Sequence, residues 1–416
     1  MGEQLAIDGG TPIRDIAQRP WPEWPIADET LWSERVEPAL REVFLSHVEG
    51  LPGPRAESFA ERFADYCGTK HARLLVHGTD AIGAALSAVL DLDAWGEGGE
   101  VILPNYTFIA TASAPLDRRC TLAFVDIDPE TFTMDPDALA EAIVPGRTRA
   151  VLPVHLAGHP ADMDAIRAVA DKHGLAVVED CAQAHGARYK GKPVGSLSHA
   201  GTFSFQSTKN LTSGEGGAVT TDDADIDARV AGFMDVGRAP RAGRWEYPRL
   251  GWNYRPSEYL AALLSVRLET LDAETDHRAK MADYLTRQLR AVPGVTPPIE
   301  GEGCDRHAYH LYCIQLDTTQ FGGHSRDAII RALTAEGIPC SPGYTLPLSE
   351  TPALAHLRKT YPEVVRVLPC PNAERVCANS LWLTQPLLLA ETEDMDDIAE
   401  ALVKVQRLMS CAAVAS

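Results

Sequence analysis

The sequence predicts an α/β fold: a large domain on a seven-stranded, mainly parallel sheet, followed by a smaller C-terminal α+β domain. Three observations carry that prediction. Seven short apolar runs recur between residues 72 and 221, separated by segments of helical periodicity. The runs are apolar throughout rather than alternating, as in strands covered on both faces. Beyond residue 271 the rhythm changes to long amphipathic helices with isolated strands.

Residues 1–30, with Pro20, Trp21, Pro22, Trp24 and Pro25, read as an extended arm. Helical spacing over 29–45 is followed by the Gly/Pro break at 50–54, then by a helix over 55–67 ended by Gly68. Strands are predicted over 72–76, 101–104, 122–125, 150–154, 175–179, 202–205 and 218–221, with helices over 81–90, 137–143 and 163–173. A helical stretch from 257 to about 289 closes at Pro293-Gly294. Strands over 309–316 and 376–383 and helices over 326–336 and 395–409 complete the chain. The large domain with its arm is placed at 1–271, the small domain at 272–416.

Composition narrows the function. In 416 residues, 58 acidic side chains against 38 Lys and Arg give a net charge of -20. That balance disfavours nucleic acid and anionic membranes as partners. Nine cysteines without a Cys-x-x-Cys pair are no disulfide or zinc framework, and no metal site is expected. No basic-then-apolar leader opens the chain and no apolar run approaches the ~20 residues of a membrane helix, so a cytoplasmic location is expected.

The chemistry gathers at predicted strand ends, where open α/β sheets bind ligands. Lys209 lies in a polar, glycine-rich loop between the sixth and seventh strands, in GTFSFQSTKNLTSGEGGAVTT, held at the rim of the sheet. Such an amine is suited to capturing a carbonyl, although alone it reads as a solvated loop lysine. Gly78-Thr79-Asp80, at a strand-to-helix turn, makes an anion site for a phosphate or, more plainly, a helix N-cap. Asp180 ends an apolar strand, where a carboxylate needs a cation or hydrogen bonds, and Gln183 and His185 follow within reach. A helix cap and a core histidine are the plain alternatives for Asp180 and His185. Tyr106, just past the second strand, offers a face for a flat ring, or simple packing. Together these residues describe the needs of pyridoxal phosphate.

The motifs HGTDA (77–81), PNYTF (104–108), FVDID (124–128), PVHL (153–156), EDCAQAHG (179–186) and FSFQSTKNLTSGEGG (203–217) resemble the DegT/DnrJ/EryC1/StrS family of sugar and aminocyclitol aminotransferases over nearly the whole chain. The resemblance implies the fold-type-I aminotransferase architecture and a homodimer with active sites at the subunit boundary. It implies Lys209 as the residue that binds the cofactor aldehyde and moves the substrate proton. Asp180 would hold the ring nitrogen protonated, Gln183 would sit near the ring hydroxyl, and Tyr106 would stack on the ring. Gly78, Thr79 and Ser204, with Asp80 beside them, would bind phosphate, and Asn253 would reach the phosphate of the neighbouring subunit. His185, Arg238, His310 and Tyr344 fall at or near the expected substrate end. Arg238, Arg241, Arg244 and Arg249 would form a cationic surface for a nucleotide-linked acceptor, or an exposed loop. Met234-Asp235-Val236-Gly237-Arg238 and Pro256 depart from the family pattern, which points to an unusual acceptor pocket. The implied reaction transfers an amino group from L-glutamate or L-glutamine to a keto-sugar or keto-cyclitol in secondary-metabolite or glycan biosynthesis. The alternatives are a dehydratase, racemase or lyase of the same family, or a non-catalytic regulatory member. The lysine at 209, where dehydratase members carry histidine, favours transamination.

Overall fold

The seven apolar runs form seven strands of one sheet in a computed structural model, whose described residues are 4–50, 53–92, 98–238 and 245–414. They are β1 (His71–Leu75), β2 (Glu100–Pro104), β3 (Thr121–Val125), β4 (Thr148–Val151), β5 (Ala176–Asp180), β6 (Ala200–Ser204) and β7 (Gly217–Thr221). Their order is β1-β7-β6-β5-β4-β2-β3, with β7 antiparallel to both neighbours and the other pairs parallel. Alternate strand residues feed two apolar layers. Ile102, Ala123 and Val177 pack with Phe59, Phe63 and Leu264 on one face, while Val101, Phe124 and Val178 pack with Leu86 and Phe233 on the other. Helices on both sides therefore account for runs without polar alternation.

The sheet has eight strands rather than seven. The eighth, Val365–Val367, comes from the C-terminal part of the chain and adds in parallel to β3. Three residues give too little pattern to be read from sequence. Their register is fixed by Arg366, whose Nη2 and Nε reach the buried Glu100 carboxylate at 2.7 and 3.1 Å.

The C-terminal body is a three-stranded antiparallel sheet, Val295–Thr296, Leu311–Leu316 and Ser380–Thr384, packed by helices Leu271–Leu289, Arg326–Ala335 and Thr392–Val414. Leu5 of the N-terminal arm is buried in this same core, with Ile13 and Trp21 against it. The strand expected over 376–383 is largely helix: Pro371–Asn379 is helical and only Ser380–Thr384 is extended. Pro371 in the first turn, where a missing N–H costs nothing, starts that helix. Among the described residues no helix is long and apolar enough to cross a membrane.

Candidate active site

The C-terminal edge of the sheet opens on a cavity of about 600 Å³. Four connections supply its chemistry: the turn after β1, the segment after β2, the end of β5, and the β6–β7 loop.

The turn after β1 starts the helix Gly78–Val89, with His77 extended at its N-cap. The N–H groups of that first turn have no intrahelical acceptor, and together with the helix dipole they favour an anion. Gly78 is required by close approach: a Cβ there would lie 2.5 Å from the Cβ of Ser204. Ser204, ending β6, thereby brings its hydroxyl beside the helix start, and Gly78, Thr79 and Ser204 share the cavity wall. Asp80 lies on the same wall, its Oδ2 2.8 Å from Nδ1 of His77.

Asp180 closes β5 and is buried. Its Oδ2 accepts from Thr111 Oγ1 at 2.9 Å and its Oδ1 from the Ala182 N–H at 3.1 Å. Burial raises its pKa, opposed by those two hydrogen bonds and by the nearby charge of Lys209. A cation presented from the cavity would complete its pairing. The adjacent Glu179 points the opposite way and anchors the strand end. It accepts from His155 Nε2 at 3.0 Å, the N–H groups of Gly195 and Leu197 at 2.8 and 2.9 Å, and Ser198 Oγ at 3.0 Å. His155 Nδ1 accepts from Ala161 N–H at 2.9 Å, which assigns the proton to Nε2.

Lys209 enters from the β6–β7 loop, with its N–H on Gln206 O at 2.9 Å. Burial lowers the pKa of its ammonium, partly offset by Asp180. Gln183 is held in one orientation: Oε1 accepts from Ala157 N–H at 2.7 Å and Nε2 donates to Tyr344 Oη at 3.3 Å. His310 Nδ1 lies 3.1 Å from Asn210 Oδ1, and Asn210 Nδ2 donates to Ala308 O at 2.8 Å. Nδ1 is therefore the donor, leaving Nε2 an acceptor. Burial, reinforced by Lys209, holds the His310 pKa well below its usual value.

The structure brings Gly78, Thr79, Asp80, Asp180, Gln183, Ser204, Lys209, His310 and Tyr344 to one cavity. It leaves four expected residues off its wall. Tyr106 is 1% exposed, turned inward with its hydroxyl 3.2 Å from Ser380 Oγ and its ring edge-on to Tyr344 and Trp382. The aromatic of the PNYTF run that lies on the wall is Phe108, 54% exposed. Two residues of the same PNYTF run compete for the stacking place, and alternation along an extended segment separates 106 from 107 but not from 108. His185 is buried behind the wall between Phe203 and Phe205, and burial lowers its pKa to about 3. Arg238 lies beside a separate 230 Å³ hollow with Asp235 and Pro256, ion-paired to Asp235 at 3.1 Å. Asn253 is exposed and bridges to Asp235 through its backbone. Arg249 pairs with Asp91 at 2.6 Å, while Arg241 and Arg244 lie outside the described residues. Thr111 and Trp382 also belong to the site without a sequence signal. Their roles depend on a side-chain contact and on the C-terminal sheet meeting the large one.

The family model of the DegT/DnrJ/EryC1/StrS aminotransferase family matches residues 33–403. The L-glutamine:2-deoxy-scyllo-inosose aminotransferase of Streptoalloteichus tenebrarius is 37% identical, with 98% of each chain covered. S. venezuelae DesV, solved in complex with a ketimine intermediate, superposes with a TM-score of 0.81 at 34% identity, covering 95% of this chain and 98% of that one. NtdA of Bacillus subtilis, solved with its cofactor PMP bound, gives 0.79 at 28% identity over 92% of this chain and 83% of its own. With the fold, the lysine loop and the family match in agreement, the chain belongs to the DegT/DnrJ/EryC1/StrS aminotransferase family and is an aminotransferase.

Proposed function

We propose that the enzyme uses pyridoxal phosphate to move the amino group of L-glutamine or L-glutamate to the ketone of a polyhydroxylated ring, a keto-cyclitol or keto-sugar. The observation that carries this reading is the convergence of Lys209, Asp180 and the Gly78 helix start on one cavity. The residues fit the cofactor: a cradle that a Cβ at 78 would fill, a buried carboxylate that among the described residues is in no direct ion pair, and an amine of lowered pKa. When bound, pyridoxal phosphate supplies an aldehyde for the amine and a ring that takes up the electron pair of a broken Cα–H bond.

This chain's residues do the rest. The first turn at Gly78 and Thr79, with the Ser204 hydroxyl, binds the phosphate. Asp180, fixed by Thr111 and Ala182, holds a proton on the ring nitrogen. Phe108, on the cavity wall, would offer the ring face expected of Tyr106. Lys209 Nζ, its pKa lowered by burial, would take the proton from the donor's Cα and give it back during the transfer. Gln183 braces Tyr344, and both border the substrate end with His310 and Trp382.

The wall favours a neutral, hydroxyl-rich acceptor. Among the described residues it carries no arginine, and it presents His310, Tyr344, Gln206, Thr208 and the carboxylates of Asp80 and Glu215. Relatives named for 2-deoxy-scyllo-inosose and scyllo-inosose and for L-glutamine support the same donor and acceptor class. In a homodimer, Asn253 would serve the partner's cavity rather than its own, while Arg238 is already paired with Asp235 at 3.1 Å. The exposed Trp32, Phe44, Leu45 and Trp245 are apolar surface suited to cover by a second copy.

The test is spectroscopic, then synthetic. Protein reconstituted with the cofactor is expected to absorb near ~420 nm and, with L-glutamine, to convert to a band near ~330 nm. A screen should then yield an aminated product from keto-cyclitols. A visible band that no amino donor alters would rule transamination out, and turnover of nucleotide-linked keto-sugars alone would overturn the neutral-acceptor assignment.

A further inference from the structure

The N-terminal arm is fastened to the C-terminal body far more firmly than an extended, proline-rich segment requires. Glu336, fully buried, accepts the Ala6 N–H at 2.8 Å, the Ile13 N–H at 3.1 Å and Lys404 Nζ at 2.8 Å. The Arg14 guanidinium pairs with Asp394 and Asp397 at 2.6 and 2.8 Å and lies 3.9 Å from the centre of the Trp21 ring. Trp21 Nε1 donates to Gly337 O at 2.9 Å. Three residues on, Trp24 Nε1 donates to Ser207 O at 3.0 Å, two residues before Lys209. Arg267 Nη2 then holds Ile26 O at 3.3 Å.

Trp24 is therefore a contact between the arm and the lysine loop. Ser207 and Thr208 are exposed, Gln206 is bridged to Gly214 across the loop and its N–H donates to Ser204 Oγ at 3.4 Å, and side-chain bonds link 206–208 to one another. Gln206 Oε1 takes the Thr208 N–H and hydroxyl at 2.9 and 2.8 Å, and Gln206 Nε2 donates to Ser207 Oγ at 2.8 Å. Extended chain spans about 10 Å in three residues, so the fixed Trp21 leaves Trp24 little freedom.

We propose that Trp24 is a positioning residue for Lys209: its indole N–H fixes the Ser207 carbonyl, and the arm, clamped at Glu336 and Gly337, is the strut behind it. The proposal rests on the assignment of Lys209 above. It also makes the placement of the lysine depend on the seating of the C-terminal body, through Trp21 and Gly337.

The test is Trp24→Phe, which keeps an aromatic ring and removes the donor. In the cofactor-free protein, amide exchange of the 207–211 peptide should quicken about three- to tenfold, the range of one lost hydrogen bond, with β1 and β6 unchanged. In the reconstituted enzyme the L-glutamine half-reaction should slow by a similar factor while the donor KM stays near its original value. Unchanged exchange at 207–211 overturns the proposal whatever the rate does, and so does exchange that quickens equally in β1 and β6. A wild-type protein without any donor half-reaction would fail the functional assignment instead, with the exchange result unaffected.

Discussion

Asp180 and Lys209 illustrate how one buried environment prepares two groups oppositely. Burial favours the neutral form of each, raising the carboxyl pKa and lowering that of the ammonium, while their mutual attraction limits both shifts. Replacing Asp180 with Asn should keep the Thr111 contact but lose the charge that holds a ring proton. The donor half-reaction is expected to slow by about 10²–10³-fold in single-turnover measurements. Two aromatic variants separate the two positions in the PNYTF run. Phe108→Ala should weaken cofactor binding in a titration without a large change in Tm. Tyr106→Phe should leave binding intact and cost about 0.5–1.5 kcal/mol in urea unfolding, for the bond to Ser380. Equal binding by both variants would remove Phe108 from the ring face.

Among the elements, β6 and the helix Gly78–Val89 meet closely at the site. Gly78→Ala would drive a methyl into Ser204, so the strand and helix must separate. A loss of about 1–3 kcal/mol is expected, together with weaker phosphate retention measured by dialysis of the loaded enzyme. The eighth strand is held differently, by charge. Arg366 supplies two hydrogen bonds to fully buried Glu100, which also meets Arg147 at 3.0 Å and Thr148 Oγ1 at 2.9 Å. Arg366→Met should cost about 2–3 kcal/mol, below the about 3–5 typical of a broken buried pair because those partners remain. Urea unfolding would measure the loss, and faster amide exchange confined to Val365–Val367 and β3 would locate it.

For the whole molecule, buried histidines set the response to acid. Burial lowers the pKa of His159 to about 4 and of His185 to about 3, and holds those of His307 and His310 well below 6.5. The unfolded chain, with ordinary histidines, binds more protons than the fold as the pH drops below about 6.5. The stability these residues contribute is therefore complete above that pH and is lost progressively down to about 4 for His159 and about 3 for His185. Asp180, with its raised pKa, works in the opposite direction, but as one group against four. Thermal unfolding of the cofactor-free protein should show Tm falling from pH 7 to pH 5. A flat profile over that range would show that these histidines take up protons as readily in the fold as in the unfolded chain.

The sequence alone determined seven of the eight strands of the large sheet, because runs buried on both faces cannot alternate, but not their order in the sheet. With the family resemblance it also singled out Gly78, Asp180, Ser204 and Lys209, which lie at or near strand ends that the fold brings to one cavity. Tertiary structure decided whatever depends on which way a side chain turns or on chain segments far apart in sequence. Phe108 rather than Tyr106 faces the cavity because Tyr106 finds Ser380, Tyr344 and Trp382 in the C-terminal body. Val365–Val367 adds to the large sheet with Arg366 joining Arg147 at the buried Glu100, and the arm crosses to the C-terminal body, where the Ala6 and Ile13 N–H groups join Lys404 at Glu336. A buried charge must be paired, and its partner is set by proximity in space, which periodicity along the chain does not record.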